Sequence, residues 1–401
     1  MQINREQLFR ASCLSLLVTS LSFGIRAGIL NKLGVDFQLD KAQLGAITAT
    51  AFYGFPIAVV IGGIVVDIIG MKKLLVVAFI FHLAGILLTV FAGGFWTLYI
   101  STLCIGLANG TVEAACNPLV TTLYPDSKAT KLSHFHLWFP MGIVIGTLIV
   151  ILFEKLGLDW KFQVGVMLIP TLVYGYLFSK LDFPVTERVA SGVSSKGMYK
   201  ALLNPLFIFM FICMIATGIT ELFTGQWIDV LLKNVSSNAL LLLTLENGVI
   251  ALGRASAKPI LKKFTPQTVL FVSAILAALG LYILSTCTGN VIFLGAIIFG
   301  TGVCFFWPMM LGFVNTNMPE TGAIGLNLMG GVGMLGVSIY TMFMGSYYDQ
   351  IVKGSQGNET LAGAQILHTT MILPCVLIIA FLGLNIYMRG RAKKMAAAVQ
   401  L

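Results

Sequence analysis

The sequence predicts an all-α membrane protein of twelve transmembrane helices in two six-helix bundles. Three observations predict it: a composition too apolar for water, apolar runs of spanning length along the whole chain, and an uneven placement of lysine and arginine between them. Of the 401 residues, 57% are hydrophobic and only 10% charged. The mean hydropathy is +0.92, whereas a soluble domain carries about 25% charged residues. A run of about 20 apolar residues crosses about 30 Å of hydrocarbon as a helix.

Read against their polar and Gly/Pro breaks, the runs place spans near 8–30, 43–66, 73–93, 96–121, 132–153 and 161–179. A second set lies near 204–226, 238–260, 267–286, 289–313, 324–346 and 364–388. The first run follows a short basic segment, as a secretory signal would. It is too long for a signal core, contains Arg26 and lacks a small-residue cleavage site, so it is expected to remain as a helix. The longest polar stretch, 180–203, holds Pro184, two glycines and several serines, the composition of a linker. The chain therefore divides into an N-terminal bundle (1–180), a cytoplasmic linker (181–203), a C-terminal bundle (204–390) and a basic cytoplasmic tail (391–401).

Charge tests the helix count, because cytoplasmic loops carry the excess of Lys and Arg. With both ends inside, the inner segments hold 18 of the 25 basic residues, the outer loops hold 6, and Arg26 lies within the first helix. An odd count would scramble this asymmetry. It also accounts for the net charge of +9 without a nucleic-acid partner, for which no basic helix or stacking aromatic motif is present. The seven cysteines stand singly in apolar runs without zinc spacing and read as buried free thiols. The expected partners are a small-molecule solute and membrane lipids. The chain is expected to be a monomer with no cofactor beyond a coupling proton or sodium ion, and the compact loops fit a bacterial inner membrane.

After the second run comes Gly63-Ile-Val-Val-Asp67-Ile-Ile-Gly70-Met-Lys72-Lys73. Glycine permits close helix approach, Asp67 can cap a neighbouring helix or pair with a cation, and the lysines suit an anionic lipid surface. The equivalent loop of the second half reads Gly253-Arg254-Ala-Ser-Ala-Lys258-Pro-Ile-Leu-Lys262-Lys263-Phe264-Thr-Pro266. The fourth run holds Glu113-Ala-Ala-Cys-Asn117-Pro118-Leu-Val-Thr121, then Tyr124-Pro125, and the tenth holds Cys304-Phe-Phe-Trp307-Pro308. The first loop resembles the G-x-x-x-D-x-x-G-x-K/R signature of the major facilitator superfamily, with Ile68 in place of its usual basic residue. The other segments resemble the fucose/hexose permease branch. The resemblance implies the major facilitator fold and secondary transport of a sugar or sugar derivative by alternating access, driven by protons or sodium.

Physics independently singles out Glu113, since an ionisable group in a spanning helix faces protein or water. Asn117 lies one turn away on the same face, and Pro118 loosens the backbone there. The resemblance puts both in the solute cavity and implicates Glu113 in proton coupling; the plain alternative is a carboxyl tied to a neighbouring helix for packing. His136 falls where the branch has a cavity glutamine and is a candidate donor to a solute hydroxyl. His134, two residues away, faces elsewhere on the helix and forms no metal pair with it.

Arg26 stands where the branch has an acid. Two readings stay open: an anionic partner, either a carboxylate-bearing solute such as a sugar acid or an acid of the protein itself, or a side chain that snorkels to the outer interface. Counting along the helices at 1.5 Å per residue puts Arg26 roughly 10 to 15 Å from Glu113 in depth, so the two are not expected to pair. Glu221, Gln226 and Trp227 are candidates for an outer gate, the plain alternative being polar groups at the membrane surface. Glu246 is expected to pair inward with Arg254 as a structural link, and Asn327 to face the cavity. Gly330, Gly331, Gly333 and Gly336 form a small-residue seam on which helices can slide. No enzyme motif such as G-x-S-x-G or H-E-x-x-H is present, so an enzyme is not expected, and a nontransporting membrane sensor is the remote alternative.

Overall fold

The computed structural model describes residues 3–39, 41–192, 194–224, 239–287, 289 and 291–399. Gln226 and Trp227 lie outside the described residues. Among those described, eleven helices are long and apolar enough to cross a membrane. They are α1 (Arg5–Leu30), α2 (Gln43–Ile69), α3 (Met71–Val90), α4 (Phe95–Leu123), α5 (Pro125–Lys155) and α6 (Trp160–Lys180) in the first half. The second half has α7 (Pro205–Phe223), α9 (Pro266–Thr286), α10 (Val291–Asn317), α11 (Pro319–Gly354) and α12 (Glu359–Ala392). Between α7 and α9 runs α8 (Ala239–Ala255), whose described part is the end of the remaining span. The protein is an integral, multi-pass membrane protein.

Within the first half, α4 packs on α2 and α3, and α1 packs on α5 and α6; within the second, α9 packs on α10 and α12, and α7 on α11. The halves meet where α11 packs on α2 and α4, and where α5 packs on α8 and α10. Large apolar side chains such as Ile61, Ile68, Ile169, Leu252, Phe343 and Ile379 are exposed. In hydrocarbon such exposure is the ground state. The same reason corrects the expectation of seven buried thiols: Cys13, Cys116, Cys213 and Cys304 are buried, Cys104 and Cys287 are intermediate, and Cys375 is exposed.

The helices run past their apolar windows, most of all α11, because backbone hydrogen bonding continues into the interface after hydropathy has fallen. Among the described residues four spans are interrupted: α5 between His136 and Trp138, α6 between Gly165 and Leu168, α10 between Val303 and Phe306, and α12 between Thr370 and Ile372. At the end of α7, Ile219–Phe223 forms a π-helical turn, which rotates Glu221 inward. Such turns widen the helix by one residue and re-aim a side chain.

The end of the bundle that carries the linker is closed. A methyl added to Gly63 of α2 would lie 2.6 Å from Cβ of Asn327 on α11, and one on Gly331 would lie 2.9 Å from Val60. The short linker helix Glu187–Ala190 fastens this end. Asp67 accepts from Arg188 Nε at 2.6 Å and from the Thr186 hydroxyl, and Lys128 of α5 donates to Glu187 at 2.7 Å. Arg188 and Met198 also pack on Gly322 at the start of α11. Lys72 is not left for the lipid surface: its ammonium donates to the carbonyls of Ser179 and Leu181, at 3.0 and 2.9 Å, and so caps α6.

Candidate transport cavity and its polar core

Three prolines set up the polar centre. Pro118, Pro140 and Pro308 have no N–H to give to the carbonyl four residues earlier, which leaves the carbonyls of Ala114, His136 and Cys304 without that helical bond. In an apolar interior each must find another donor. Asn327 Nδ2 donates to Ala114 O at 3.0 Å. Arg254 donates from Nη1 to His136 O at 2.7 Å and from Nε to Cys304 O at 2.8 Å. The bonds to Ala114 and His136 join one half of the chain to the other.

Arg254 completes its set with Nη2 to Glu221 Oε1 at 2.5 Å. Only 2% of Arg254 is exposed, a depth at which a charge is held by partners on every side or not at all. The expected pairing of Arg254 with Glu246 is therefore corrected. Glu246 is 8 positions earlier on the same helix, about 12 Å along the axis, whereas the π-turn of α7 brings Glu221 alongside. Both oxygens of Glu246 are buried without a hydrogen-bond partner, as is Glu221 Oε2.

A cavity of about 350 Å³ opens above this centre, on the side away from the linker. Its wall takes Phe23 and Arg26 from α1, Phe52 from α2, Phe139 from α5, Glu221 from α7 and Glu246 from α8, with Asn247 and Arg254 deeper on α8. The wall's three aromatic rings thus all come from the first half, and three of its four charged groups from the second. Arg26 stands on this wall with its guanidinium 6.0 Å from the centre of the Phe23 ring, and it makes no ion pair among the described residues.

Glu113, Asn117 and His136 form a buried ring of side chains beneath the cavity, hydrogen-bonded on two of its three sides. Asn117 Nδ2 donates to Glu113 Oε2 at 2.6 Å, Asn117 Oδ1 meets His136 Nε2 at 3.0 Å, and His136 Nδ1 lies 3.6 Å from Glu113 Oε1. All three are buried. None lines the cavity in this conformation; Arg254, which does, bonds the His136 carbonyl. Asn327 likewise lies in the closed seam against Gly63 and Ala114 instead of on the cavity wall, because the carbonyl freed by Pro118 claims its amide. Glu221 sits at the polar centre, where a place in an outer gate was expected. The described residues also contain a buried chain that the sequence did not disclose: Tyr174 to His82 at 2.8 Å, His82 to Asn109 at 2.8 Å, and Asn109 to Ser22 at 3.2 Å.

This geometry, two halves sealed at one end around a polar centre, has known counterparts. The sequence profile of the Major Facilitator Superfamily matches residues 12–341. The chain belongs to this superfamily. The solved structure of the transporter FucP in its outward conformation has a TM-score of 0.72 at 17% identity, over 92% of this chain and 98% of that one. FucP is the fucose:proton symporter of Escherichia coli. The human organic anion transporter MFSD10 also has a TM-score of 0.72, at 13% identity, over 95% and 100% of the two chains. In sequence, facilitated glucose transporter member 10 of Xenopus laevis is 26% identical over 161 residues, 40% of this chain and 29% of that protein. The match thus spans less than a third of that relative's length.

Proposed function

We propose that this superfamily member is a secondary transporter of a small polar solute, in the first instance a sugar or sugar derivative, working by alternating access. The observation that carries the reading is the cavity of about 350 Å³ between the halves, open at one end and closed at the other. Sites for small ligands start at roughly 300 Å³, apolar with a few placed polar groups. Rings of Phe23, Phe52 and Phe139 suit the faces of a pyranose, and Arg26, Asn247 and the acids suit its hydroxyls.

Transport then requires the halves to rock until the linker end opens. That motion breaks a definite set of contacts: Asn327 to Ala114, the Gly63 and Gly331 seams, and the linker bonds of Asp67 and Lys128. It would also expose the Glu113–Asn117–His136 ring, which supports a role for those three residues on the solute's path in the other state. The buried acids that meet around Arg254, Glu113 among them, supply groups for ion coupling. The excess of Lys and Arg at the linker end supports a cytoplasmic position for that end and both termini.

A second reading, transport of an organic anion such as a sugar acid, is favoured by one specific observation. Arg26 presents a guanidinium to the cavity with no acid bound to it among the described residues, and such a group pairs well with a carboxylate.

Thermal unfolding of the purified protein against a panel of sugars, sugar acids and amino acids, at several pH values with and without sodium, tests both readings. A ligand that binds the folded state raises the unfolding temperature. Stabilisation by neutral sugars supports the first reading and by sugar acids alone the second, whereas stabilisation by amino acids alone contradicts both.

A further inference from the structure

We infer that Glu246, with Glu221 beside it, is the site where a small monovalent cation, a proton or a sodium ion, enters and leaves the carrier from the cavity. The inference rests on the transporter reading and names its coupling group.

The second half's share of the wall carries two acids and one base. Arg254 is fully engaged by the carbonyls of His136 and Cys304 and by Glu221. Glu246 is 1% exposed, and three carboxylate oxygens, both of Glu246 and Oε2 of Glu221, have no hydrogen-bond partner. An ionised carboxylate held this way carries an uncompensated desolvation cost. A cation on it removes the cost, and among the described residues no side chain provides one: Arg26 faces the same cavity from α1 without bonding Glu246. Among the described residues the second half's share of the wall is therefore one positive charge short, at the edge of the cavity.

Glu113 differs in both respects. Its carboxylate already accepts from the Asn117 amide, with His136 Nδ1 3.6 Å away, and it does not line the cavity. In this conformation it can hold its ring together but cannot exchange an ion with the open end. Among the described residues, the charged and titratable groups around Glu246 are Glu221 of α7, Arg254 of α8, Arg26 of α1 and Cys304 of α10, with His136 of α5 and Glu113 of α4 behind Arg254. Of these only Glu221 shares the unpartnered oxygens.

Infrared difference spectra of the purified protein read this directly, without knowledge of the solute. If the cation is a proton, a pH step gives a carboxyl C=O band in the wild type and in Glu113→Gln that is lost in Glu246→Gln. If it is sodium, exchange of choline chloride for sodium chloride shifts a carboxylate band that Glu246→Gln removes. Glu246→Asp keeps the charge and displaces the band without abolishing it, which guards against loss through misfolding. A response lost in Glu113→Gln but kept in Glu246→Gln overturns the inference, as does the absence of any Glu246-dependent response to either step. Uptake of D-galactose, D-xylose and D-glucuronate into proteoliposomes is a separate readout: a protein with the Glu246 band that moves none of them contradicts the proposed function and leaves the cation site standing.

Discussion

Arg254 of α8 is bonded to Glu221 of α7 at 2.5 Å, both buried, and the same guanidinium holds two backbone carbonyls that Pro140 and Pro308 leave free. One side chain therefore closes the hydrogen bonding of three helices besides its own. Arg254→Met leaves Glu221 as an uncompensated buried charge and should destabilise by about 3–5 kcal/mol. The apparent unfolding temperature should fall steeply, and Arg254→Met/Glu221→Leu should recover part of the loss. Simple addition of the two single effects would show that the residues are not coupled.

The linker clasp predicts a conformational effect. Arg188→Gln removes the 2.6 Å bond to Asp67 and weakens closure of the linker end. The cysteine of a Met198→Cys variant, which packs on Gly322 in the closed state, should then react severalfold faster with a hydrophilic maleimide. Equal rates with and without Arg188→Gln would mean that the clasp does not hold this end shut.

Gly63 tests the seam itself. A methyl there would stand 2.6 Å from Asn327 Cβ, and overpacking of this kind costs about 1–3 kcal/mol. Gly63→Ala should lower the unfolding temperature, and Gly383→Ala, where an added Cβ meets nothing within 4 Å, should not. Equal effects at the two positions would contradict the close approach of α2 and α11.

How much of this was legible in the sequence depends on the range of each interaction. The spans were readable because hydrocarbon thickness sets their length, and the relation of Glu113 to Asn117 because four residues along a helix share a face. The proline carbonyls were half readable: the orphan at four residues back follows from the sequence, but the donors Asn327 and Arg254 come from distant segments. Glu221 as the partner of Arg254 was hidden, since it needs both a π-turn and the packing of α7 on α8, and closeness in sequence suggested Glu246 instead. Asp67 gave a similar problem, its partner Arg188 lying in the linker. Gln226 and Trp227 fall outside the described residues, so the proposed outer gate rests on sequence alone.

Arg26 separates the two readings of the solute. A hydrogen bond to a charged group contributes about 1.5–3 kcal/mol, so Arg26→Gln should weaken D-glucuronate binding by roughly tenfold to a hundredfold if the solute is an anion. Binding of D-galactose should change little. An equal loss for both would make Arg26 a general wall residue instead of an anion contact.

The central claim is that a solute passes through the cavity between the halves, and uptake by the reconstituted protein tests it most directly. Proteoliposomes with an imposed proton or sodium gradient should accumulate at least one of D-galactose, D-xylose and D-glucuronate above protein-free vesicles, and Arg254→Met should abolish that accumulation. Wild-type vesicles indistinguishable from protein-free ones for all three solutes under both gradients, or undiminished uptake by Arg254→Met, would contradict the account.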